Sequence, residues 1–268
     1  MRILFLGDVV GQTGCIAIKE NLQKIIKEEN IDFTIVNGEN AAYEGVGITQ
    51  NILDEFLSCG VDVVTSGNHI WDRKETHEFI KNQSRLLRPL NMDKSLPGEG
   101  FAVLNSRKGL RVGVLNLMGN VFMKKCDDLF MTLKKFLENK SLKIDYDCLV
   151  VDIHGEITSE KMAVGHFLDG KASLVVGTHT HVPTNDARIL KGGTAYMTDA
   201  GMCGDYDSVI GMDKYNSINR FLKLDSKKHF PSKGESSICG VIVEVSKKTG
   251  LAINVKNFIT GGVLNTNI

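Results

Sequence analysis

Val61-Asp62-Val63-Val64-Thr65-Ser66-Gly67-Asn68-His69 decides the fold. The apolar run Val61–Val64 reads as a buried strand, and it leaves through a glycine into an amide and an imidazole. The same pattern recurs along the chain. Ile3–Leu6 ends in Gly7-Asp8, Phe33–Val36 in Asn37-Gly38-Glu39-Asn40, Cys148–Ile153 at His154, and Leu174–Val176 in Gly177-Thr178-His179-Thr180-His181. Helical patterns lie between these runs. Gly14 to Glu29 places Ile18, Leu22, Ile25 and Ile26 on one face. Thr49 can cap a helix carrying Ile52, Leu53, Phe56 and Leu57 that stops at Gly60. More polar Asp72–Asn82, then Asp127–Glu138 and Ser159–Phe167, complete the helices. Alternation of this kind predicts an α/β fold, whose ligands bind in the crevice outside the carboxyl ends of the strands.

After Pro89 the rhythm changes. Phe101–Leu104 and Arg111–Leu115 read as a hairpin turning at Lys108-Gly109, and Thr194–Thr198, Ser237–Val245 and Leu251–Phe258 as further strands. With no repeat or linker in between, the expectation is a single α/β domain over residues 1–268 with an antiparallel addition.

The chain of 268 residues is 42% hydrophobic, enough for a substantial core. Lys+Arg and Asp+Glu both number 32, so no net field draws it to nucleic acid or an anionic membrane. Any affinity for a phosphate has to come from the site itself. The six cysteines form no C-x-x-C pair, which argues against a thiolate zinc site or a disulfide framework. They read as small buried side chains in a reducing compartment. The opening MRILFLGDVVG reads as a first strand and not as a signal peptide. No apolar run reaches membrane-spanning length, and the expected location is the cytoplasm.

Asp8, Glu39, Asn68, His154, His179 and His181 all follow apolar strands, which a scatter of solvated surface residues would not do. Imidazole and carboxylate oxygen together suit a pair of divalent metals. Such a pair can clamp the attacking and leaving oxygens of an in-line phosphoryl displacement. His179-Thr180-His181 puts two of only seven histidines in one short loop, so a bent backbone can offer one ring to each metal. His77, His166 and His229 lack this setting and read as structural or exposed. The glycines of Gly7-x-x-x-Gly11-x-x-Gly14 have neither dinucleotide nor P-loop spacing, and no G-x-S-x-G elbow is present.

In order, Gly7-Asp8, Gly38-Glu39-Asn40, Gly67-Asn68-His69, His154 and Gly177-Thr178-His179-Thr180-His181 resemble the signature of the calcineurin-like metallophosphoesterases. NGENAA (37–42), GNHIWD (67–72), GTHTHV (177–182), DAGMCG (199–204) and GMD (211–213) are similar to their YmdB-like branch, a group resembling 2′,3′-cyclic-nucleotide phosphodiesterases. The resemblance spans nearly the whole chain. It implies an αββα sandwich of mixed sheets with flanking helices. It also implies that one metal takes Asp8, Glu39, Asn40 and His181, while the other takes Asn68, His154 and His179 with Glu39 as the bridge. Val10 stands where the wider superfamily has a histidine ligand, and the Asn40 side chain would offset that loss. Ile70 stands where the superfamily often has an acid after Asn-His, so the sequence names no partner for the His69 ring.

The expected cofactors are two metal ions, iron first and manganese as the alternative. The expected reaction is in-line attack on a phosphodiester by a hydroxide bridging the metals, with His69 as general acid to the departing ribose oxygen. The alternative readings are a phosphomonoesterase or nuclease on the same metals, and a regulatory, RNA-associated protein that uses the site for ligand sensing. The expected partners are a small phosphodiester, an RNA or RNA-processing partner and a second copy of the chain. A membrane is not among them.

Overall fold

Residues 1–225 and 228–264 are described by a computed structural model. The apolar runs pair into two mixed sheets. The first contains β1 (Arg2–Leu6), β2 (Asp8–Val9), β3 (Phe33–Asn37), β4 (Val63–Thr65), β11 (Met202–Asp205), β12 (Ser236–Val245) and β13 (Ala252–Thr260). Its order is β2-β11-β12-β1-β3-β4, with β13 also paired to β12. The second contains β5 (Phe101–Asn105), β6 (Arg111–Met118), β7 (Cys148–His154), β8 (Leu174–Thr178), β9 (Arg188–Ile189) and β10 (Ala195–Met197), in the order β5-β6-β7-β8-β10-β9. Parallel strands β1, β3 and β4 lie in one sheet, and β6, β7, β8 and β10 in the other.

Period-2 alternation sorts the side chains into layers. On β1, Ile3 and Phe5 pack with Cys148 and Val150 of β7 in a core between the sheets. Leu4 and Leu6 of β1 face the other way, toward Ile18 and Leu22 of α1 (Gly11–Glu28) and Leu53 and Phe56 of α2 (Gln50–Ser58). Leu149, Val151 and Ile153 of β7 cover the outer side of the second sheet. They pack with Leu133 of α4 (Leu129–Asn139) and Val164 of α5 (Thr158–Phe167). Helix, sheet, sheet and helix therefore stack as the resemblance implies. Each fully buried Leu, Ile or Phe in these layers contributes roughly 1.5–3 kcal/mol.

Local signals account for most boundaries. The Thr49 hydroxyl accepts from the Ile52 amide at 3.3 Å and caps α2, and the Asp128 carboxylate accepts from Met131 N at 2.8 Å and caps α4. The hairpin of β5 and β6 is antiparallel.

The predicted helix Asp72–Asn82 is a correction. Only α3 (Thr76–Phe79) and a 3-10 turn at Ile80–Asn82 form there. The amide of Asp72 turns back to His69 O, and the side chain of Arg73 reaches away to Val46 O and Glu44. The sequence reading also missed β2, β9, β11 and α6 (Lys214–Phe221). No helix among the described residues is long and apolar enough to cross a membrane.

Candidate active site

The parallel strands of both sheets carry their chemistry at their carboxyl ends. Glu39 follows β3, Asn68 and His69 follow β4, His154 closes β7, and His179 and His181 follow β8. Asp8 sits in β2, where Met202 of β11 is its parallel partner.

Four donors converge. His154 Nε2 lies 2.9 Å from Glu39 Oε1, 3.1 Å from Asn68 Oδ1 and 3.1 Å from His179 Nδ1. These belong to the residues that the resemblance assigns to one metal, and ligand atoms of Glu39, His154 and His179 all lie within 4.8 Å of one another. Asp8 joins them from the side. Its Oδ2 accepts from the amide of His179 at 3.1 Å, and its Oδ1 is 3.8 Å from His154 Nδ1.

The approach is close because position 67 is glycine. A Cβ there would stand 2.2 Å from the His154 ring and 2.4 Å from Glu39 Oε2. Asn116 of β6 fixes this exit from β4. Its Oδ1 accepts from Ser66 N at 2.9 Å, and its Nδ2 donates to Ser66 O at 3.0 Å.

The loop after β8 is held under strain. His179 and His181 have φ of 100° and 65°, a region that favours glycine. Asp199 holds it there, since its Oδ2 accepts from Thr180 N at 3.1 Å and from Thr180 Oγ1 at 2.8 Å. The same oxygen takes the Lys161 ammonium at 2.7 Å, with both side chains 1% exposed. His181 Nδ1 donates to Ile210 O at 2.8 Å, which leaves Nε2 as the ring atom it could offer a metal.

A buried relay sets the other tautomer. The Thr178 hydroxyl donates to Asp152 Oδ1 at 2.7 Å, so His154 Nδ1, 2.9 Å away, is the donor to Thr178 Oγ1. Nε2 of His154 is then the ring atom turned toward Glu39 and Asn68, and the one it would offer a metal. Asn37 Nδ2 donates to Asp152 Oδ2 at 3.0 Å, and Asn37 Oδ1 accepts from the Glu39 amide at 3.1 Å.

Electrostatics follow from burial. Burial raises Asp8, against the imidazoles of His181 and His154. Burial also opposes charge on Glu39 and His154, but the contact between them holds the carboxylate down and the imidazole up. Burial and the neighbouring His154 push His179 down to about 3. Burial raises Asp152 to about 7.

Two buried oxygens, Asp8 Oδ1 and Asn40 Oδ1, have no hydrogen-bond partner. Leaving such atoms unsatisfied costs about 1–3 kcal/mol each. Carboxylate, amide oxygen and imidazole nitrogen are together a donor set for a divalent metal, so the residues present fit such an ion. Val10 is buried and bridges Asn40 in parallel, which places the residue standing in for histidine beside the amide expected to offset it.

His69 has the partner that the sequence did not name. Its Nδ1 lies 2.7 Å from Asp72 Oδ2, and its amide donates to Glu39 Oε2 at 3.0 Å. Lys124 braces this turn, with Nζ 3.5 Å from Asp72 Oδ1 and 2.6 Å from Asn68 O. Glu156 Oε2, likewise unread in the sequence, is 3.1 Å from His179 Nε2. His77 stacks on Trp71, in keeping with a structural part. His229 lines the same cavity of about 520 Å³ as Glu39, His69 and His181.

The chain has counterparts among known proteins. The family model for YmdB-like proteins matches residues 4–258. A 2′,3′-cyclic-nucleotide 2′-phosphodiesterase of Bacillus subtilis is 40% identical over 259 residues, 97% of each chain. A crystal structure of a novel phosphatase from Mycoplasma pneumoniae superposes with a TM-score of 0.89 at 35% identity, covering 97% of this chain and 93% of that one. A hypothetical protein from Thermus thermophilus gives the same TM-score of 0.89 at 37% identity, covering 98% and 100%. With the motif order, the site and these matches together, the chain belongs to the YmdB-like family of calcineurin-like metallophosphoesterases.

Proposed function

We propose that this chain is a metal-dependent phosphodiesterase that opens 2′,3′-cyclic nucleotides at a dinuclear centre. The observation that carries the reading is the convergence of Glu39 Oε1, Asn68 Oδ1 and His179 Nδ1 around His154 Nε2. The unsatisfied oxygens of Asp8 and Asn40 support a second ion beside the first. The similar Bacillus subtilis protein, named for 2′,3′-cyclic-nucleotide hydrolysis, supports the substrate class.

Asn68, His154 and His179 would hold one ion and Asp8, Asn40 and His181 the other, with Glu39 serving both. Imidazoles with hard oxygen donors and no thiolate suit zinc, iron or manganese, and the family resemblance puts iron first with manganese as the alternative. When bound, the ions supply an activated water and a positive clamp on the phosphoryl oxygens.

The chain supplies the rest. Asp8 and Glu39 cancel only part of the cationic charge, so an anionic diester is drawn in. Asp72 engages Nδ1 of His69 and leaves Nε2 as the ring atom that hands a proton to the departing ribose oxygen. The Asp152–Thr178 relay keeps His154 in the tautomer that presents Nε2.

The test compares hydrolysis of 2′,3′-cyclic nucleotides, phosphomonoesters and single-stranded RNA by protein loaded with manganese or iron. Preference for the cyclic diesters supports the reading. Preference for monoesters or RNA, or no turnover with metal bound, overturns it.

A further inference from the structure

Part of the cavity wall is built from Arg220 of α6 and from the segments before and after that helix. Asp213 caps α6, its carboxylate accepting from Asn216 N at 2.7 Å. The returning segment is tied to the start of the helix. Asn216 Nδ2 donates to Lys228 O at 3.3 Å, Asp213 N to Phe230 O at 3.1 Å, and Ser232 N to Gly211 O at 2.8 Å. Ile210, just ahead of α6, accepts from His181 Nδ1 at 2.8 Å, so this wall is referenced to a candidate metal ligand.

Three groups on it face the cavity, namely Arg220, Lys228 and His229. Elsewhere around the site the basic side chains are already paired. Arg73 is taken by Glu44, Lys124 by Asp72 and Lys161 by Asp199. Among the described residues, no carboxylate lies within ion-pair distance of Arg220, Lys228 or His229. Glu44 feels the Lys228 charge across the cavity, but its carboxylate is bonded to Arg73. Burial and the adjacent Arg220 guanidinium both lower His229, which makes its ring a neutral hydrogen-bonding group beside that guanidinium.

A cyclic mononucleotide carries one negative charge, at the phosphate that the metals would hold. It leaves Arg220 and Lys228 without a counter-charge in direct contact. We propose that Arg220, Lys228 and His229 hold a second phosphate, so that the preferred substrate is a 2′,3′-cyclic nucleotide carrying a further phosphate on its 5′ side. This rests on the reading of the site as a cyclic-nucleotide phosphodiesterase. An arginine fork and a lysine point charge are the side chains that suit a phosphate, and an imidazole can complete its hydrogen bonding. The further phosphate is either a free 5′-monoester or the next diester of an oligonucleotide.

The test uses the full chain loaded with manganese, as wild type, as R220A/K228A and as the charge-keeping R220K/K228R. Calorimetry compares adenosine 3′-phosphate with adenosine 3′,5′-bisphosphate. Turnover compares adenosine 2′,3′-cyclic phosphate with its 5′-phosphorylated form and with a dinucleotide ending in the cyclic phosphate. Wild type should favour the added phosphate by about tenfold in Kd and in kcat/KM. R220A/K228A should bring both ratios close to one, and R220K/K228R should keep most of the preference. A gain for the dinucleotide as well identifies an oligonucleotide end as the source. A gain confined to the monoester identifies the mononucleotide. Wild-type ratios near one, or a preference that survives in R220A/K228A, overturn the proposal. If wild type hydrolyses no cyclic nucleotide, the functional reading falls, while the calorimetric ratio still decides the part played by this wall.

Discussion

Oδ2 of Asp72 lies 2.7 Å from Nδ1 of His69, three residues earlier in the chain, across a turn in which the Asp72 amide bonds back to His69 O. The carboxylate reaches the ring from this turn, although Ile70 occupies the neighbouring position where the superfamily often has an acid. On the proposed reading His69 is the general acid, and this contact makes Asp72 the residue that positions it. His69→Ala should lower kcat by about a hundredfold or more, as expected for loss of a general acid, and leave metal content near normal. Asp72→Asn should lower kcat by about tenfold with little change in KM. Loss of metal in either variant, or unchanged turnover in His69→Ala, counts against these roles.

Gly67→Ala tests the crowding at the cluster. The new Cβ would stand 2.2 Å from the His154 ring and 2.4 Å from Glu39 Oε2, so both side chains must move. The expected result is loss of bound metal and a lower Tm, read by elemental analysis and thermal unfolding. A variant that keeps full metal content would show that the glycine is not needed for this approach.

Thr178→Val tests the relay behind His154. The change keeps the shape but removes the hydroxyl that stands 2.9 Å from His154 Nδ1 and donates to Asp152. Metal affinity should fall by about 10–100-fold, the range for partners that orient a metal ligand. A competition titration with a chelating dye measures it, and an unchanged affinity would separate the relay from the metal.

Asp199→Ala should be markedly destabilising. It leaves the Lys161 ammonium, 1% exposed, without its counter-ion and frees the Thr180 amide and hydroxyl. Removing one partner of a buried pair destabilises by about 3–5 kcal/mol, which denaturant unfolding would register. Lys161→Met paired with Asp199→Asn should recover part of the loss. A single variant as stable as wild type would mean that the loop is held by other contacts.

The strand ends were legible because an apolar run and the polar residue that closes it are local. Ile3–Leu6 and Asp8, or Leu174–Val176 and His179, announce themselves within a few positions. Residues that act across distance were not. Lys161 and Asp199 are 38 positions apart, and Asn116 reaches Ser66 from the other sheet. Asp72 escaped for a different reason. Its stretch has helical spacing, but the His69 ring and the Arg73 contacts hold those residues in turns. His229 has no local sign, because only the pairing of residues 211–213 with 230–232 brings it to the cavity.

The most direct test of the central claim measures metal content and 2′,3′-cyclic-nucleotide hydrolysis on one sample, before and after chelation. Two metal ions per chain are expected, with turnover lost on chelation and restored by manganese or iron. Glu39→Gln should lose both ions together. Undiminished hydrolysis by metal-free protein, or Glu39→Gln retaining both ions, would contradict the account.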